Sequence, residues 1–215
     1  MHPLYEAFAA HLDAEDKDAC VRFALDHLQN RDLYVTTLYD ELLKPSLYAD
    51  FCKEDDQRIC IWKEHVRTSI VRTIIECCYP YVMRERDAAG KMDKGMAAVL
   101  CPPEEWHDVG ARMVADFFTL AGFKTTFVGV NTPRREIINA LRYLRPDYIA
   151  VSITNYYNLV ASREIVREML QLRDLFPFKL VLGGQACRGN SGACQAMQAD
   201  YLLQTSTEIM KLGDA

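Results

Sequence analysis

Residues 102–110 read Pro102-Pro103-Glu104-Glu105-Trp106-His107-Asp108-Val109-Gly110. The stretch follows a short apolar run, Met96-Ala97-Ala98-Val99-Leu100-Cys101, and leads into a helix-like segment from Ala111 to Leu120. A histidine therefore stands where a strand turns into a helix. An acid lies two residues before it and a glycine three after. In a doubly wound sheet, ligands collect at the carboxyl ends of the strands.

Beyond this stretch, short apolar runs alternate with amphipathic segments. Strands are expected at 96–101, 125–130, 147–152, 179–182 and 200–203, and helices at 109–121, 133–143, 158–175, 190–197 and 206–212. Alternation of this kind implies a parallel sheet covered on both faces, with right-handed crossovers. Five strands fit a flavodoxin-like order, 2-1-3-4-5. Pro133, after Gly129 and Asn131, is expected to open the next helix.

Two further features stand at telling distances. Ser152-Ile153-Thr154 comes after Gly110 with 41 residues between, and Gly183-Gly184 comes after Thr154 with 28 between. The three elements together resemble the cobalamin-binding domain, whose pattern is Asp-x-His-x-x-Gly, then Ser-x-Leu, then Gly-Gly. This chain departs from it in Glu105 for Asp and Thr154 for Leu. The resemblance runs from about Met92 to the C-terminus.

Residues 1–88 read as mostly helix. Leu4, Phe8 and Leu12 recur every fourth residue, and Leu38, Leu42 and Leu43 share one side of a stretch that Pro45 is expected to end. A long helix from about 56 to 79 carries Ile59, Trp62, Val66, Ile70 and Ile74 at spacings of three and four, with Pro80 expected to end or kink it. This is the pattern of a four- or five-helix bundle. The polar run 83–95, with Gly90 inside it, reads as a linker. The expected fold is thus a helical cap bundle (1–88) followed by a flavodoxin-like, Rossmann-like α/β domain (89–215).

Half of the residues are apolar, enough for a substantial core. The net charge of -5, with Lys and Arg scattered, argues against direct nucleic-acid binding. Met1-His2-Pro3-Leu4-Tyr5-Glu6 lacks the pattern of a secretory signal, and no apolar stretch approaches the length of a bilayer span, so a cytoplasmic location is expected and no membrane partner. None of the eight cysteines forms a Cys-x-x-Cys pair, so a zinc knuckle is not expected and buried thiols are. Cys77 and Cys78, as helical neighbours, should point to different sides.

The resemblance implies a role for each residue of the pattern. His107 becomes the metal ligand: the dimethylbenzimidazole of cobalamin leaves the cobalt, the histidine replaces it, and the nucleotide tail is buried beside the sheet. Neutral imidazole suits such a metal. Glu105 would accept the other ring N–H, fixing the tautomer and raising basicity, though its extra methylene leaves open a longer or water-mediated contact. Asp108 would cap the helix or join that relay. Gly110 leaves room for the corrin or its tail, close helix–strand packing being the alternative. Ser152 and Thr154 would bond the tail, with Asn155, Tyr156 and Tyr157 beyond them. Gly183 and Gly184 would admit it closely, a simple turn being the alternative.

In cobalamin proteins of this two-domain build the bundle caps the upper corrin face. Glu64-His65, in Trp62-Lys63-Glu64-His65, looks like the pair in light-sensing B12 repressors. Those carry a tryptophan ten residues before the Glu, where this chain has Glu54. Pro-Glu-Glu-x-His-x-x-Gly-x-Arg-Met-Val-Ala-Asp-Phe-Phe looks more like the sensor branch than the methyl-carrier branch, which usually reads Gly-Asp-x-His-Asp-Ile-Gly-Lys. Asp108 favours the carrier branch slightly.

The first functional expectation is therefore a B12-dependent sensor or regulatory protein, and the second a corrinoid carrier for methyl transfer. The third is a flavodoxin-like fold with another ligand or none. No DNA-binding helix-turn-helix is evident before the bundle, so a signal would pass to a protein partner, a transcription factor or a methyltransferase. No residue set looks able to catalyse a reaction unaided.

Overall fold

A computed structural model describes residues 2–49, 57–90 and 93–212. The chain divides into two compact units, Met1–Glu85 and Arg86–Ala215.

The first unit is helical. It begins with α1 (Tyr5–Asp13) and α2 (Lys17–Asn30). Asp16 caps α2 by accepting from Ala19 N–H at 2.9 Å, and Arg31 ends it in the left-handed region. The short α3 (Val35–Thr37) runs into a π-helical segment, Leu38–Leu43, and then α4 (Lys44–Tyr48). Pro45 therefore does not end the helical run, as expected, but opens α4. The Lys44 N–H reaches back to the Tyr39 carbonyl, and this wide turn takes up the place where proline cannot donate. Phe8, Leu12, Leu28, Leu38, Leu42 and Ile74 are fully buried and form the core.

The long helix α5 spans Gln57–Ala88 and passes through Pro80 without ending there. Pro80 and Glu76, the residue four before it, are both exposed, so the side of the helix where proline cannot donate faces water. Ile74, Cys78 and Val82, all buried, hold the helix on both sides of the proline. The expected linker is likewise helical as far as Ala88. Its charged residues are good helix formers, and two are anchored within the first unit: Arg84 donates to the Leu28 carbonyl at 2.7 Å, and Glu85 accepts from Val35 N–H at 3.0 Å.

The second unit is a parallel sheet of β1 (Met96–Leu100), β2 (Lys124–Gly129), β3 (Tyr148–Ser152), β4 (Lys179–Gly183) and β5 (Tyr201–Leu202). The strand order is β2-β1-β3-β4-β5, the flavodoxin-like order expected. The helices are α6 (Val109–Ala121), α7 (Arg134–Leu144), α8 (Leu159–Gln171), α9 (Gln185–Gly189), α10 (Ser191–Gln195) and α11 (Ser206–Met210). Ala98, Leu100, Ile149, Val151, Leu180 and Leu182 share a core with Ile137, Leu141, Ile165 and Met169 of α7 and α8. Strand alternation turns Ala97, Val99, Ala150 and Val181 to the other face, where α6 lies against β1, β2 and α11. The central strands read as unbroken apolar runs because both faces are covered.

The helix expected at 190–197 is the shorter α10, and a second short helix, α9, comes directly before it. A disulfide between Cys187 and Cys194 joins the two, with Cα atoms 5.6 Å apart. This corrects the expectation of free thiols there: two short consecutive helices bring the pair within disulfide reach. Cys60 is also disulfide-bonded. Cys20, Cys78 and Cys101 are buried thiols and Cys77 is half-buried, so the adjacent pair does split between sides of α5. Among the described residues, no helix is long and apolar enough to cross a membrane.

Candidate functional site

The loop after β1 is shaped by backbone devices at the carboxyl edge of the sheet. The β1–β2 register slips between Val99 and Leu100, so that Leu100 pairs with Gly129. Gly129 has φ +101, and its carbonyl accepts from Cys101 N–H at 3.1 Å. Glu104 (φ 65) and Asn131 (φ 49) also take the left-handed region that non-glycine residues seldom adopt. The turn at Glu104 drives Glu105 inward, where it is fully buried, while Trp106 and His107, just ahead of the helix entry at Val109, remain exposed. Pro133 immediately precedes α7 rather than forming its first residue.

Glu105 is the hub. Its Oε1 lies 2.5 Å from His107 Nδ1 and also accepts from the His107 backbone N–H at 3.2 Å. Its Oε2 accepts from the backbone N–H groups of Thr154 (3.0 Å) and Asn155 (2.9 Å) and from Asn158 Nδ2 (3.1 Å). Its own carbonyl accepts from Asn131 N–H at 3.2 Å. One residue thus ties together the loops after β1, β2 and β3. Burial pushes the Glu105 carboxyl upward, but hydrogen bonds from Asn155, His107 and Asn158 outweigh it and hold the group below the usual carboxylate range. The group is a carboxylate, and charge-assisted bonds of this kind contribute roughly 1.5–3 kcal/mol each.

His107 presents 55% of its side chain to solvent while its partner presents none. An ionised carboxylate at Nδ1 places the ring proton there and leaves the Nε2 lone pair free. Among the described residues none bonds Nε2. The expected His107–Glu105 contact is therefore direct despite the longer side chain. Cys101, at the end of β1, donates its thiol to the His107 carbonyl across 3.7 Å. Burial, with the charges of Glu105 and Asp108, pushes that thiol up to about 12.

Asp108 does not cap α6. It makes no side-chain cap bond because its own backbone is already helical (φ -94, ψ -19), and instead it pairs with Arg112 at 2.8 Å. Gly110 lies in the first turn of α6, exposed, and a Cβ built on it would meet nothing within 4 Å. Close helix–strand packing is therefore not its reason. The glycine doublet is different. A Cβ at Gly183 would come 2.7 Å from the Leu203 carbonyl oxygen, and one at Gly184 (φ +98) 2.4 Å from that of Ile153. These glycines let the loops after β3, β4 and β5 close on one another. Ser152 is buried and pairs in register with Gly183.

The structure thus brings Glu105, His107, Ser152, Thr154, Gly183 and Gly184 to one edge of the sheet, with Thr154 contributing its backbone N–H to Glu105. Glu64 and His65 belong to the first unit and are exposed on α5. Position 54 lies outside the described residues. Sequence reasoning missed Asn158 as a partner of Glu105. Its only local signal was an amide residue opening α8. Tyr156 and Tyr157, next after Asn155, are exposed with ring centroids 4.0 Å apart.

A cofactor with an open metal position fits these residues. The imidazole has one nitrogen fixed and the other free, and a Cβ on the neighbouring Gly110 would meet nothing within 4 Å among the described residues. Comparison with known proteins agrees. Residues 95–210 match the B12 binding domain. The chain is 25% identical over 210 residues to the HTH-type transcriptional repressor CarA of Myxococcus xanthus, covering 97% of this chain and 67% of that protein. It is 26% identical over 164 residues to the repressor CarH of the same organism, covering 74% of this chain and 50% of that one. Its fold is similar to that of the monomethylamine corrinoid protein of Methanosarcina barkeri, with a TM-score of 0.79 at 14% identity, over 97% of this chain and 96% of that one. The chain belongs to the B12-binding domain family and is a cobalamin-binding protein.

Proposed function

We propose that the protein holds cobalamin base-off with His107 as the lower axial ligand of cobalt, and acts as a B12-dependent sensor or regulatory protein through a protein partner. The dyad of buried Glu105 and exposed His107, 2.5 Å apart, carries the ligand assignment. When bound, cobalamin would supply a cobalt ion that the His107 imidazole can ligate. Glu105 keeps the proton on Nδ1, so that Nε2 remains a neutral donor. Gly110, Ser152 and Thr154 leave the room and polar contacts that the cofactor and its tail need, and Gly183 and Gly184 let the loops of that edge close beside them. Asp108 holds Arg112 beside them.

The sensor reading is supported by likeness to the CarA repressor along 97% of the chain, the helical unit included. The partner in this reading is a transcription factor. A second reading, a corrinoid carrier whose partner is a methyltransferase, is favoured by the fold likeness to a monomethylamine corrinoid protein.

Absorption spectra of the protein loaded with methyl-, adenosyl- and hydroxocobalamin, in the dark and after green light, separate the two. A lasting light-dependent change of spectrum or oligomeric state supports the sensor. Methylation by a partner methyltransferase without a light response supports the carrier. His107→Ala should shift the bound spectrum; an unchanged spectrum refutes lower-ligand duty.

A further inference from the structure

We propose that the outward face of α7 and α8 docks an acidic segment of a protein partner. The inference rests on the reading of the chain as a regulator that acts through such a partner, and it assigns the surface and its chemistry. In a chain of net charge -5, α7 and α8 together carry five arginines and three glutamates. The glutamates are already engaged. Arg134 donates to Glu164 at 2.8 Å and also pairs with Glu168, and so ties the first turn of α7 to the middle of α8. Glu136 accepts from Asn139 Nδ2. That leaves Arg135 and Arg142 on α7 and Arg163 and Arg167 on α8, all exposed, with no carboxylate partner among the described residues.

Helix geometry gathers the four on the outward side. Ile137 and Leu141 of α7, and Ile165, Val166 and Met169 of α8, are buried in the core beneath. Arg135 and Arg142 stand two turns apart and Arg163 and Arg167 one turn apart, so each pair shares a side of its helix. Like charges one turn apart repel, and an external anion relieves that repulsion. Val160, one turn before Arg163, is 73% exposed, and Tyr143, next to Arg142, is 88% exposed. Arginine and tyrosine are over-represented where proteins meet.

The occupant is a carboxylate-bearing polypeptide. A planar guanidinium matches a carboxylate through two parallel hydrogen bonds. Charges more than about 10 Å apart are screened at 0.1 M salt, so a short acidic segment meets the four arginines and little else. A nucleic-acid duplex carries charge along its whole length and would run on over a chain whose net charge is negative. The face is also connected to the site. The loop entering α7 donates Asn131 N–H to the Glu105 carbonyl at 3.2 Å, and the loop entering α8 donates Thr154 N–H to the Glu105 carboxylate at 3.0 Å. A change at His107 thus bears on the entry loops of both helices.

The test measures binding of a fluorescent oligoglutamate peptide to the full chain by anisotropy, with oligoglutamine of equal length and a short DNA duplex alongside. Wild type should bind oligoglutamate at low salt and release it at about 1 M salt, where charges are screened beyond about 3 Å. Arg135→Glu/Arg142→Glu and Arg163→Glu/Arg167→Glu should each weaken binding on the order of 10-fold. Lys17→Glu/Arg22→Glu makes the same change of net charge at exposed positions of α2 and should alter binding by less than about 2-fold. If one arginine variant fails to fold, the other still reads the face. No oligoglutamate binding by wild type, equal weakening in the α2 control, or tighter binding of the duplex overturns the proposal. So does sedimentation in which wild-type chains self-associate and the arginine variants do not, which makes a second copy the occupant. Bound hydroxocobalamin should shift the oligoglutamate affinity by at least about 5-fold. An affinity equal with and without it contradicts the regulator reading and leaves the docking face standing. Absent docking, with the bound spectrum still shifted in His107→Ala, overturns the face and leaves cobalt ligation standing.

Discussion

Glu105 is fully buried and lies 2.5 Å from Nδ1 of a largely exposed His107. The charged partner is thus inside and the reactive ring outside. Replacing the carboxylate is expected to do more than detune the imidazole. In Glu105→Gln the amide has one acceptor oxygen for donors on both sides, so its NH2 group must face either His107 or the N–H groups of Thr154 and Asn155. Stability should fall by about 2–3 kcal/mol, as for a buried polar group left unsatisfied. Urea denaturation of the cobalamin-free protein measures it. His107→Ala, which removes an exposed ring, should fall by less.

The glycines of the site should separate into two kinds. Gly184→Ala must adopt φ +98 and push against the Ile153 backbone at 2.4 Å, so a loss of about 2–4 kcal/mol is expected. Gly110→Ala meets nothing within 4 Å, and Ala favours helix, so stability should stay level or rise by up to about 1 kcal/mol. Cobalamin affinity should nonetheless drop in Gly110→Ala. Thermal melts and a cobalamin titration of both variants check the pair.

In the helical unit, Glu85 is a stability sensor for pH. Burial raises its carboxyl above the ordinary 4.5, against the opposing pull of the Val35 N–H and the Arg84 charge. The folded state therefore keeps this proton longer than the unfolded chain does. Its contribution is full below the unfolded value and is lost as pH rises through the folded one. Glu85→Gln still accepts from Val35 and does not ionise. The variant should gain on wild type between about pH 4 and pH 7, read as the difference in urea midpoint at the two ends. A constant difference would contradict the assignment.

The Cys187–Cys194 bond closes a loop with a sequence separation of 7. The chain-entropy relation assigns such a loop about 2.5 kcal/mol. Reduction, or the double alanine variant, should lower stability by that order, and mass spectrometry after alkylation without reductant should find both cysteines unlabelled. Cys101 should also resist alkylation near neutral pH while the protein is folded, because its thiol is pushed up to about 12.

Local pattern alone determined much of this protein. Apolar runs such as 96–100 and 148–152, separated by amphipathic segments, encode a parallel sheet and its order, because period and connection length are properties of neighbouring residues. The spacing of His107, Ser152 and Gly183 marked the family and the edge where ligands gather. The same pattern misjudged Pro80 and the charged residues after it. Whether a helix survives a proline depends on which side faces water and on what Ile74 and Val82 pack against. Tertiary structure alone decided the partners of Glu105 Oε2. They lie 49, 50 and 53 residues away, two of them are backbone N–H groups, and only the adjacency of β1 and β3 brings them to the carboxylate. It also separated Gly110 from Gly184, since a Cβ would meet nothing within 4 Å at one and the chain's own backbone at the other.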